Sequence, residues 1–94
     1  MAAAQKSILV LGRRDHGEAM RVAAGLTIFG HAVRLVFMTE PLAETAANAE
    51  LAELLELSEI TPETTVPDMA DELALLDAKA LGSAIAASDR VINL

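Results

Sequence analysis

Two largely aliphatic runs frame the first third of the chain: Ser7-Ile8-Leu9-Val10-Leu11, closed by Gly12, and Ala32-Val33-Arg34-Leu35-Val36-Phe37. Neither alternates apolar with polar residues as a half-exposed strand would, so both predict strands buried on two faces of a parallel sheet. Between them a polar stretch, Gly12 to Gly17, leads into Ala19, Val22, Ala23, Leu26 and Phe29 at helical spacing, with Gly30 as a left-handed terminator. Strand, helix and strand within about thirty residues form one right-handed crossover unit. Ala23, Ala24 and Gly25 are expected to let this helix lie close to the sheet, in return for the roughly 1 kcal/mol that an interior glycine costs.

Farther on, Thr39 is expected to cap a second helix whose first turn holds Glu40 and Pro41 and which ends near Leu57. Leu51, Leu54 and Leu55 form its apolar stripe, and Glu50, Glu53 and Glu56 its solvated side. The segment Ser58 to Asp68 is turn-rich, with Thr64-Thr65-Val66 as a short edge strand. Asp68, followed by Asp71 and Glu72, resembles a cap with acids in the first turn, and Met69, Leu73 and Leu76 continue at helical spacing into a third helix, which Gly82 divides. Arg90-Val91-Ile92-Asn93-Leu94 reads as a closing strand. The pattern predicts an α/β domain with a mainly parallel sheet, the first strand central and helices on both faces.

Composition narrows the function. At 94 residues the chain supports one core, and the whole is expected to be a single domain. Without cysteine it holds no disulfide, thiolate zinc site, iron–sulfur cluster or persulfide. Phe29 and Phe37 are its only aromatics, which leaves no platform for base stacking. A formal charge of −7 disfavours nucleic acid and anionic membrane surfaces. The apolar run after Met1 to Lys6 is too short for a signal peptide or a membrane span, which points to the cytoplasm. A positive mean hydropathy of +0.40 in so small a chain predicts self-association, as a homo-oligomer that uses the Leu42 to Leu57 helix or the last helix.

Charge is unevenly placed: Lys6, Arg13, Arg14, Arg21 and Arg34 crowd the first part, whereas Glu40 to Asp77 contains no basic residue. The loop Gly12-Arg13-Arg14-Asp15-His16-Gly17 therefore joins a strand end, a helix N-terminus and local positive charge, the setting in which α/β sheets place small anions. Arg13, Arg14, His16 and Gly17 are the candidate binding residues. In that case the three side chains turn toward the N–H groups of Gly17 and Glu18; in a bland loop they face solvent. The loop is neither a Walker A motif nor a GxGxxG turn. His16 and His31 fall at opposite ends of a parallel pair, too far apart to share a metal. No serine sits in a nucleophile elbow, and the acids of 44–63 lack the alternation and glycine of a calcium loop. No cofactor, metal or catalytic constellation is expected, and the chain does not read as an enzyme.

Ser7 to Leu11, Arg21 to Leu26, Gly30 to Phe37 and Ala87 to Leu94 together resemble the DsrE/DsrF-like family of small sulfur-relay proteins. That resemblance implies a flavodoxin-like three-layer α/β/α fold, homo- or hetero-oligomers in the bacterial cytoplasm, and partners among DsrE-family or other sulfur-metabolism proteins. Some members carry a persulfide on a cysteine in the later half of the chain. Here the Pro-containing stretch Ile60 to Asp68 stands in that region, and no residue carries over as a sulfur acceptor. The resemblance thus implies a non-catalytic structural or regulatory subunit; the alternative is an independent domain that binds a small anion or nucleotide phosphate through the loop after the first strand.

Overall fold

The computed structural model describes residues 5–94; the first four residues of the lead-in Met1 to Lys6 lie outside it. Five strands form one all-parallel sheet: β1 (Ser7–Gly12), β2 (Ala32–Phe37), β3 (Glu63–Thr64), β4 (Ala74–Leu75) and β5 (Arg90–Asn93), in the order 4-3-2-1-5. Helices α1 (His16–Ile28) and α2 (Ala46–Leu57) cover one face and α3 (Ala78–Ala87) the other. This is the flavodoxin-like three-layer arrangement.

The alternation of β1 explains the layers. Ile8 and Val10 join Ala19, Met20, Ala23 and Ala24 of α1, Leu55 of α2 and Leu35 and Phe37 of β2 in the larger core. Leu9 and Leu11 point the other way, where Val36 and Ala84 complete a much smaller cluster. The register sets Val10 beside Leu35 on one side and Ile92 on the other, so β1 is interior, although β2 holds the middle of the sheet. One short helix does not cover the second face. On its open part Arg34 grips Glu63 with both ends of its guanidinium (2.9 and 2.8 Å), and the carboxylate holds the Arg34 pKa above its ordinary value.

Four expectations about elements are corrected. α2 begins at Ala46, where the Thr45 side chain accepts the Asn48 N–H; Thr39 has a φ of 80° and caps nothing. The third helix does not start at Asp68: Pro67–Met69 make one tight turn, the chain runs on into β4, and α3 begins at Ala78 under an Asp77 cap. Gly82 lies inside this continuous helix and does not divide it. β3 covers Glu63 and Thr64 and lies between β2 and β4, so β4 is the edge strand. Thr64 is fully buried, giving its hydroxyl proton to the Phe37 carbonyl (3.0 Å) and accepting the Val66 N–H (2.9 Å).

Ala23 and Ala24 are buried between α1 and the sheet, as expected, whereas Gly25 adds nothing to the close packing, its Cβ position being open among the described residues. The tightest approach is instead at Gly12, where an added Cβ would lie 3.1 Å from that of Ala19. Gly30 ends α1 with a φ of 88°, as the sequence predicts.

A candidate anion site at the reversal of strand order

From β1 the chain steps through β2 and β3 to β4 in one direction, then returns to the far side of β1 as β5. The reversal falls between β1 and β5, rather than between the first and third strands as in flavodoxin, and open α/β sheets bind ligands at such points beyond the strand ends. The loop of interest leaves β1 here. A recess of about 370 Å³ is lined by Arg13, Arg14 and Asp15 together with Asn93 and Leu94. A second, of about 380 Å³, shares Arg14 and Asp15 and adds His16, Gly17, Glu40 and Asn48.

The loop's N–H groups are partly committed. Those of Arg14 and Asp15 both donate to the Leu94 carbonyl oxygen at 2.9 Å, which ties the loop to the end of β5. Asp15 is the N-cap of α1, and its carboxylate accepts the Glu18 N–H at 3.0 Å. Among the described residues only the N–H groups of His16 and Gly17 in this first turn find no acceptor.

Side chains divide in the same way. Arg13 and Arg14 are exposed, and their guanidinium groups form no ion pair among the described residues. His16 turns inward, but toward the fold: its Nε2 lies 3.1 Å from the Met38 carbonyl and its ring meets Phe37 edge-on at 5.2 Å. A carbonyl only accepts, which assigns the proton to Nε2. Gly17 faces Leu51 and Asn48 of α2. The expected convergence on Gly17 and Glu18 is therefore replaced by two exposed arginines over the β1–β5 crevice and a histidine that pins α1 to the end of β2.

His31 sits at the opposite end of the strands, just before β2, where its Nδ1 accepts the Lys6 N–H. No three His, Asp or Glu side chains converge as metal ligands among the described residues, and no serine hydroxyl there contacts a histidine or carboxylate. No helix among these residues is long and apolar enough to cross a membrane. The contribution of Asn93 and Leu94 to the crevice escapes local sequence reading, since only the β1–β5 pairing brings them there. Comparison with protein-family models, with curated proteins and with solved structures finds no match to this chain.

Proposed function

We propose that this chain is a non-catalytic, DsrE-like subunit of a cytoplasmic homo-oligomer of the sulfur-relay type, acting through its surfaces and carrying no persulfide. One observation carries the reading. The segments that resemble the family, although scattered along the sequence, form a single block: strands β5, β1 and β2 side by side, with α1 laid over them. The absence of cysteine fits a role without sulfur chemistry of its own. Self-association has support on α3, where Ile85 is 41 % exposed and, among the described residues, a Cβ at Gly82 would meet no neighbouring element within 4 Å. Native mass spectrometry at micromolar concentration is the test: a homo-oligomer that Ile85→Glu dissociates is expected, and a monomer overturns the reading.

The crevice supports a second reading, a small-anion or nucleotide-phosphate domain, because two exposed arginines line a recess at the reversal of strand order. Calorimetry with inorganic phosphate should then show binding that weakens with salt and disappears in Arg13→Ala/Arg14→Ala, with folding unchanged. No binding by the parent at millimolar phosphate removes this reading.

A further inference from the structure

The outer flank of α2 has a different character from the arginine loop. The chain from Ile60 to Leu73 folds back beside this helix and leaves two adjoining recesses, of about 450 and 320 Å³, which share Leu42, Ala52, Met69 and Glu72. Together they make one furrow that follows α2 from Thr45 to Ile60. Twelve residues of α-helix span about 18 Å, roughly three turns. Phe37 and Leu55 close the floor, Leu42, Met69 and Leu73 form half-buried sides, and exposed Ala52 leaves the middle open.

The rim carries one sign of charge. Glu44, Glu56 and Glu72 line the furrow, and none of them forms an ion pair among the described residues. Between residues 40 and 77 the chain holds 11 of its 14 acidic residues and no lysine or arginine. An occupant must therefore be apolar where it meets the floor and positively charged where it meets the rim. A small cation fills one recess only, whereas a helix places anchors in both, because residues on one face recur every three to four positions.

We infer that this furrow docks an amphipathic helix of a partner protein, with apolar side chains in the two recesses and Lys or Arg against Glu44, Glu56 and Glu72. The inference deepens the scaffold reading by naming the chemistry of a partner, and it rests on that reading only in requiring one. It does not involve the exposed face of α3, and at its Thr45 end it borders the second recess of the arginine loop, with which it shares Ala43 and Asn48.

The probe is a fluorescein-labelled synthetic helix of about 18 residues, long enough to hold helical structure, with leucines on one face and lysines flanking them. A second peptide has glutamate in place of every lysine. Anisotropy titrations should show binding of the lysine peptide that weakens with salt, and none of the glutamate peptide. Affinity should fall at least about tenfold both in Ala52→Phe, which fills the furrow, and in Glu56→Lys/Glu72→Lys, which reverses its rim. Circular dichroism checks that each variant is folded, and Ala49→Gln replaces Ala52→Phe if the latter is not. Absence of lysine-peptide binding, equal binding of both peptides, or binding indifferent to the furrow variants overturns the inference. Native mass spectrometry of the same samples separates the two ideas: failed binding by an intact oligomer removes the furrow alone, and a monomer removes the scaffold reading.

Discussion

Glycine-to-alanine replacement adds one methyl group, yet the structure predicts opposite signs at three positions. Gly25 lies inside α1, and among the described residues a Cβ there meets nothing within 4 Å. Gly25→Ala should raise stability by about 0.5–1 kcal/mol, since it restricts the unfolded chain and strains nothing in the folded one. Gly30 holds a φ of 88°, where an alanine Cβ meets the following carbonyl, so Gly30→Ala should cost about 1–2 kcal/mol. At Gly12 the new Cβ lies 3.1 Å from Ala19 Cβ and 3.4 Å from the Phe37 ring. Both neighbours are buried, and pushing α1 off the sheet should cost about 1–3 kcal/mol. Urea melts of the three variants at one protein concentration should give midpoints above, below and below the parent, with unchanged slopes. For a domain of this size about 1 kcal/mol shifts Tm by some 4–8 °C, which thermal scans resolve. A destabilised Gly25→Ala or a neutral Gly12→Ala would refute the packing described for α1.

Two further outcomes test the core. Val10→Asp places an unpaired carboxylate at a fully buried position between Leu35 and Ile92, so the domain should lose its cooperative melt; unchanged stability removes Val10 from the core. Thr64→Val keeps the shape but leaves the Val66 N–H without its acceptor, at a cost of about 1–3 kcal/mol, and the Val66 amide should exchange with solvent faster than in Thr64→Ser.

β1, β2, β5 and α1 were legible because continuous aliphatic runs and a 3.6-residue period have one structural reading each. The stretch from Asp68 to Leu76 did not. Met69 and Leu73 pack on the larger core while Leu76 packs on the smaller one across the sheet, so an apparently helical spacing belongs to a chain that crosses between faces. Thr39 misled for a local reason: Glu40 precedes Pro41, and a residue before proline is pushed out of helical geometry, so no helix starts there and α2 begins at Ala46 under the Thr45 cap. Of the candidate loop, position and exposed charge were readable. The inward turn of His16 and the closure by Leu94 depend on partners from other strands, which spacing does not encode.

The pairing of β5 with β1 bears on how the chain folds. Ser7 and Asp89, 82 positions apart, are joined by a side-chain hydrogen bond at the start of that pairing, whereas Ser7 meets Ala32 across a much shorter stretch. Closing the longer loop costs about 1 kcal/mol more in chain entropy, so the crossover unit has the earlier claim to form and β5 docks late. During synthesis β1 is left with one bare, aliphatic edge until Arg90 to Asn93 arrive. In that interval the edge can pair with the same strand of a neighbouring chain, so slow translation or crowding of nascent copies should favour aggregation at β1 over native assembly.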